Sequence, residues 1–172
     1  MALMARVEAA LSRAGATIEQ RELPGAYAAL IDAHPIIMNA ESARALGWEL
    51  ANHPDLVSEG LRERMNFGLN QTEADLAGAY DVFARTQRGF PEATAGLDVL
   101  VTPSAPGEAP GGLEWTGDPA FNFIWTSLHV PCVTVPAGAG PNGLPLGIQI
   151  VGREGDDRAV LSWAQWVRAA LD

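Results

Sequence analysis

Serine, cysteine and histidine are the side chains in this sequence that could carry covalent chemistry, and their spacing argues against each in turn. The six serines, Ser12, Ser42, Ser58, Ser104, Ser127 and Ser162, are isolated from one another, and none sits in a G-x-S-x-G elbow. Ser127 stands two residues before His129, a proximity that chance explains. Cys132 lies in the apolar run Pro131-Cys132-Val133-Thr134-Val135, where a thiol acts as a small inert hydrophobe. His34, His53 and His129 lack ligand spacing, so no metal and no cofactor is assigned. Asp98 precedes a strand, and Asp156-Asp157 read as support for a helix N-terminus rather than as paired acids. Asn70-Gln71-Thr72 matches a glycosylation sequon without a secretory context. The chain contains no lysine. That excludes a Schiff-base lysine, a Walker-type phosphate lysine and a lysine general base from these residues.

The elements that would position any site come in a clear order. Leu3, Met4, Val7, Leu11 and Ala14 share one helical face, and Gly15 stops that helix. A strand is expected over Thr17 to Leu23. Tyr27 to about Asn52 reads as helical with a break near Pro35, and Ser58 to Phe67 as a shorter helix. Thr72 and Asp75 form a capping-box pattern before a strong helix whose inner face would carry Leu76, Tyr80, Phe83 and Ala84. After residue 96 the texture changes. Leu97 to Thr102 is a strand, 104–117 a Pro/Gly-rich loop, and Asp118 to Leu128 a short aromatic helix. Pro131 to Val135 and Leu146 to Val151 are strands flanking the turn Pro141-Asn142-Gly143. A last helix begins near Asp156, with Val160, Trp163, Ala164, Val167 and Leu171 at helical spacing. The layout is α/β, a small mixed sheet covered by helices. The strands are nearly continuous in apolar character, as when both faces are covered, and a sheet this small implies an edge that something else covers.

Length and charge narrow the function. The 172 residues, 48% apolar and 19% charged, suit a single folded domain, mostly helical over 1–96 and strand-rich over 97–172. A net charge of −10 and scattered arginines argue against nucleic acid and against an acidic membrane surface. One cysteine and no secretory signal lead to the expectation of a cytoplasmic protein.

The segment from Leu97 to Gly152 carries the most specific motifs. It holds Asp98-Val99-Leu100-Val101-Thr102-Pro103, then Ala109-Pro110, then Phe121-Asn122. Val130-Pro131-Cys132-Val133-Thr134-Val135-Pro136-Ala137-Gly138 and Gly143-Leu144-Pro145-Leu146-Gly147-Ile148-Gln149-Ile150-Val151-Gly152 follow. In this order they resemble the C-terminal end of amidase-signature enzymes, where DxLLTPT, VPAG and GLPxGLQxVG strands succeed one another. The opening helix with Gly15-Ala16-Thr17-Ile18, and Tyr80, Ala84 and Arg85, resemble earlier parts of the same family.

The resemblance implies a partial amidase-signature fold and a hydrolase that cleaves a carboxylic amide C–N bond through an acyl-enzyme. In that family a Ser–cis-Ser–Lys triad does the chemistry, with backbone N–H groups stabilising the oxyanion. This chain has no lysine and no adjacent serines. No catalytic residue is therefore assigned, and the chain alone is expected to be inactive. Trp115, Phe121, Asn122, Phe123, Trp125 and Cys132 are the substrate-pocket candidates by resemblance. Packing roles for Phe121, Phe123 and Trp125 remain the competing reading. The expectation is a C-terminal portion whose Ser-Ser-Lys part lies elsewhere, with a small-molecule amide as substrate of the full-length enzyme. The alternative is a stand-alone scaffold or binding protein, derived from an amidase, that complements a separate catalytic chain. Either leaves apolar surface exposed and implies self-association.

Overall fold

The computed structural model describes residues 2–172. They fall into two compact units, one comprising the residues up to Pro24 with Phe90–Asp172, the other Gly25–Gly89.

In the second unit, a 3-10 turn at Gly25–Ala29 leads into α2 (Leu30–Ala45), followed by α3 (Gly47–Asn52), a 3-10 turn at Pro54–Leu56 and α4 (Glu59–Leu69). The expected break at Pro35 does not occur, and the helix is interrupted at Leu46 instead. Proline at 35 removes only the bond to the Ile31 carbonyl, and Ile31 lies on the exposed side of the helix. Gly68 lets α4 approach α2 closely. A methyl group there would collide with the Asn39 carbonyl and lie 2.6 Å from the Ala40 nitrogen.

α5 (Glu73–Ala93) begins in this unit with the capping box anticipated from sequence. The Thr72 hydroxyl accepts from the Asp75 N–H (3.1 Å), and the Asp75 carboxylate accepts from the Thr72 N–H (3.0 Å) and hydroxyl (2.6 Å). Those bonds hold the Asp75 carboxyl below its usual range. Ala79, Phe83 and Thr86 form the buried face. Tyr80, expected on that face, is instead 41% exposed. Its hydroxyl donates to Glu41 at 2.7 Å, which gives the phenol a partner at the surface.

In the first unit, α1 (Ala2–Arg13) buries Val7, Ala10 and Leu11, and Gly15 at φ +99° ends it. Thr17 to Leu23 is not a strand: it has no regular structure and pairs with no neighbour in the sheet. Only Thr17 and Ile18 are β-branched, and polar residues after them find side-chain partners. Arg21 donates to Glu19 and to the Ala93 carbonyl at 2.9 Å.

The sheet contains β1 (Leu100–Pro103), β2 (Cys132–Ala139) and β3 (Pro145–Val151) in the order β1-β3-β2. Every pairing is antiparallel, where a mixed sheet was expected. The short turn through Gly143 (φ +82°) makes β2 and β3 a hairpin, which permits no other direction. β1 joins the far edge with Leu100 opposite Val151 and Thr102 opposite Gln149.

Alternation splits the residues between two faces. Val101, Val133, Val135, Ala137, Ile148 and Ile150 point to one side. There they pack with α1 and with α7 (Asp157–Leu171), which contributes Val160, Ala164 and Val167. Arg6 of α1 clips onto this layer by donating to the Ala137 carbonyl, beside the bulge at Pro136/Gly138. The opposite face carries Thr102, Cys132, Thr134, Gln149 and Val151. It is covered over β3, where Gln149 and Val151 are buried, and open over β2, where Cys132, Thr134 and Pro136 are exposed. The expectation of two covered faces therefore holds for β3 and fails for β2.

Candidate functional site

On the second sheet face, Gln149 is the organising residue. It is only 2% exposed in the middle of β3. Its side-chain amide donates to the carbonyl of Pro103 at 3.2 Å and to the carbonyl of Phe121. A buried amide needs such partners, since an unmade bond costs about 1–3 kcal/mol. One side chain thus joins the end of β1 to the segment that enters the aromatic helix. Asn122 makes a second bond of the same kind, its Nδ2 donating to the Ser104 carbonyl at 3.1 Å. The Ser104 N–H continues the ladder by donating to the Gly147 carbonyl at 3.1 Å.

The aromatic helix, α6 (Phe123–Ser127), is shorter than the Asp118 to Leu128 span read from sequence. Asp118 instead folds back in an Asx turn, accepting from the Ala120 N–H at 2.9 Å, and Pro119 supplies the carbonyl that caps Asn122. The helix ends in a Schellman motif. The Val130 N–H donates to the Trp125 carbonyl (3.3 Å) and the His129 N–H to that of Thr126 (3.1 Å). His129 occupies the left-handed position at φ 56°, where glycine is usual. It is exposed, while Ser127 is fully buried with its hydroxyl donating to the Phe123 carbonyl at 2.8 Å. Ser127 thus lies inside the fold and His129 at its surface.

Phe121, Asn122, Phe123 and Trp125 accordingly occupy one segment, fastened to the sheet by Gln149 and Asn122. Trp125 is 6% exposed, with its ring 6.3 Å from that of Phe90. Its indole N–H and the Ser104 hydroxyl are buried without a hydrogen-bond partner among the described residues. Cys132 lies on the same sheet face as Gln149, one strand away. It is exposed as a residue, yet its sulfur is desolvated enough that burial pushes the thiol up to about 11. A thiol so placed is protonated at neutral pH and a poor nucleophile. Trp115 stands apart, 62% exposed in the loop of residues 104–117.

Glu108 has a role that sequence reading missed. Its carboxylate accepts from the Asn142 N–H (3.0 Å), the Asn142 side-chain amide (2.7 Å) and the Leu144 N–H (2.9 Å). The 104–117 loop is thereby tied to the β2–β3 turn. The available signal was an acid alone in a stretch otherwise free of charge between Asp98 and Glu114. Among the described residues no group of three His, Cys, Asp or Glu side chains could hold a metal ion, and no helix is long and apolar enough to cross a membrane.

Comparison with known proteins identifies the family and the fold. The model of the Amidase family matches residues 1–161. A glutamyl-tRNA(Gln) amidotransferase subunit from Parvibaculum lavamentivorans is 30% identical over 158 residues, covering 85% of this chain and 30% of that protein. The corresponding protein from Rhizorhabdus wittichii is 42% identical over 101 residues, covering 50% of this chain and 20% of its own. A solved structure described as an amidase superposes with a TM-score of 0.88 at 27% identity, over 99% of this chain and 41% of that one. The chain thus spans about a fifth to a third of the length of these curated relatives.

Proposed function

The chain belongs to the amidase family, and on that premise we propose that it forms the scaffold and one pocket wall of an enzyme that hydrolyses a carboxylic amide to an acid and an amine or ammonia. The serine nucleophile and the lysine base come from another part of the protein or from a companion chain. In such an enzyme the serine adds to the amide carbonyl and expels the amine, and water then cleaves the resulting ester. None of these steps uses a side chain of this segment. Its contribution is to hold Phe121, Asn122, Phe123 and Trp125 in fixed positions beside the reacting carbonyl and to bury the apolar part of the amide.

The observation that carries this reading is the half-finished second face of the sheet. Gln149 and Asn122 fasten the aromatic segment over β3, while Cys132, Thr134 and Pro136 of β2 stay exposed beside it. A strand of an antiparallel sheet can stay open to water on one side. Here, however, the open strip adjoins a built wall of aromatic residues, as a cleft does when its other wall is supplied separately. Placing the catalytic segment against this strip would put its serine next to the aromatic residues. The same reading makes self-association through the open strip a competitor of that docking, and it assigns neither nucleic acid nor membrane as a partner.

The test joins this chain to an amidase-family segment carrying the serine pair and lysine, and measures amide hydrolysis. Turnover that depends on both halves and falls when Thr134→Arg blocks the strip supports the proposal. Full activity of the catalytic half without this chain, or indifference to Thr134→Arg, overturns it.

A further inference from the structure

We propose that Asn142 is a deamidation site, that Glu108 guards it, and that its conversion to a carboxylate frees the 104–117 loop from the β2–β3 turn. The sequence supplies the reactive pair. Of the six asparagines, Asn142 is the one followed by glycine. Where the next residue has no side chain, its backbone nitrogen reaches the asparagine Cγ without obstruction. Pro141, Asn142, Gly143 and Leu144 are all exposed, so water and hydroxide have access to the pair. The chemistry needs no further residue. A base from solvent takes the Gly143 N–H proton, and the nitrogen forms a bond to the Asn142 Cγ. The Cγ–Nδ2 bond breaks, and Nδ2 departs as ammonia with a proton from water. Water then opens the five-membered imide. Attack at Cγ leaves an aspartate at position 142. Attack at the backbone carbonyl leaves an isoaspartate, whose main chain runs through the former side chain. In sum, the amide and water become a carboxylic acid and ammonia.

In the folded turn both reacting groups are occupied. The Gly143 N–H donates to the Gly140 carbonyl at 3.1 Å, which keeps it from a base. The Asn142 Nδ2 donates to the Glu108 carboxylate at 2.7 Å, and the Asn142 backbone N–H donates to both carboxylate oxygens at 3.0 and 3.2 Å. These bonds fix the side chain on Glu108, and turning Cγ onto the Gly143 nitrogen requires breaking them. A carboxylate also has no proton to give the departing nitrogen. Glu108 is itself held by the Leu144 N–H at 2.9 Å and by a close fit to Gly140, where a Cβ would fall 2.5 Å from Oε1. Once the amide is gone, the same geometry acts in reverse. A carboxylate at position 142 faces that of Glu108 with no hydrogen between them, and like charges so close repel. An isoaspartate lengthens the main chain inside a turn closed by the bond from the Gly140 N–H to the Leu144 carbonyl at 2.9 Å, with Gly143 at φ +82°. Either product undoes the tie between loop and turn.

The test incubates the purified chain, its urea-unfolded form, Glu108→Ala and Glu108→Gln at mildly alkaline pH. Deamidation at position 142 is read by peptide mass spectrometry, and isoaspartate by enzymatic methylation. The unfolded chain should react fastest and the folded parent at least about ten-fold slower. Glu108→Ala should react roughly ten-fold faster than the parent, with Glu108→Gln intermediate because it keeps one acceptor oxygen. Circular dichroism separates loss of the guard from loss of the fold; if Glu108→Ala unfolds, Glu108→Gln against the parent decides. A parent as fast as the unfolded chain, or folded Glu108 variants no faster than the parent, overturns the guard. An unreacted position 142 in the unfolded chain overturns the site. Asn142→Asp carries the aspartate product and tests the release. Hydrogen exchange of the Leu144 amide should quicken roughly ten-fold in it and less in Asn142→Ser, which loses the amide without adding a charge. Unchanged exchange in Asn142→Asp overturns the release.

Discussion

Replacing Gln149 by methionine keeps the volume of the side chain and removes its hydrogen bonds. In the structure the Gln149 amide is 2% exposed and donates to the carbonyls of Pro103 and Phe121. Each buried carbonyl left without a donor costs about 1–3 kcal/mol. The Pro103 carbonyl retains the Thr102 hydroxyl at 3.3 Å, so its loss lies at the low end. The methionine recovers part of the sum because its burial is itself favourable. The net expectation is a destabilisation of about 2–3 kcal/mol. With a urea dependence of about 1–3 kcal/mol per molar, the midpoint should fall by roughly 0.7–3 M. Unfolding followed by tryptophan fluorescence reads this directly, because Trp125 packs in the segment that Gln149 fastens. Gln149→Glu should be worse, since a carboxylate would face two carbonyl oxygens. A methionine variant within about 0.5 kcal/mol of the parent would refute the view that Gln149 holds the aromatic segment by hydrogen bonding.

Gly68→Ala should destabilise the Gly25–Gly89 unit by about 3 kcal/mol, because the new methyl meets the backbone of Asn39 and Ala40 and the two helices must separate; a thermal melt unchanged from the parent would contradict it. With its thiol pushed up to about 11, Cys132 should react with iodoacetamide at a rate that rises about ten-fold per pH unit from 7 to 10, and a plateau near pH 9 would show an unshifted thiol. Because the shift is upward from 9.0, its stabilising effect is intact below pH 9 and is lost as pH rises toward 11. Thr72→Ala should move the Asp75 carboxyl upward in an NMR titration, though not the whole way, because the bond from the backbone N–H of residue 72 remains. The stabilisation carried by that lowered value is present above the ordinary carboxylate range and is lost as pH falls through the lowered one.

What was legible from sequence was what local chemistry dictates. The capping box at Thr72 and Asp75, the glycine stop at Gly15, the turn at Pro141-Asn142-Gly143 and the apolar stripe of α7 each need only near neighbours, and all appear in the structure. The misses come from partners distant in sequence. Thr17 to Leu23 fails as a strand because no edge receives it, and Pro35 passes through a helix because only one solvent-side bond is lost. Tyr80 turns outward because Glu41, 39 residues away, accepts its hydroxyl. At the candidate site, Phe121, Asn122, Phe123 and Trp125 were readable as a group because they lie within five residues of one another, and Gln149 stood out as a motif residue. Its function as a fastener, and that of Glu108 as a tether 34 residues from Asn142, depend on how the loop folds back over the sheet, which no periodicity records.

In the proposed function this chain builds a pocket wall and leaves the bond-breaking to serine and lysine residues elsewhere. The most direct measurement is labelling with a serine-directed fluorophosphonate alongside amide turnover, on this chain alone and on the chain joined to a serine- and lysine-bearing amidase segment. Neither label nor turnover is expected for the chain alone, and both are expected for the joined protein, with the label on the added segment. Turnover by the chain alone that survives repurification, or label on any of its own serines, would contradict it.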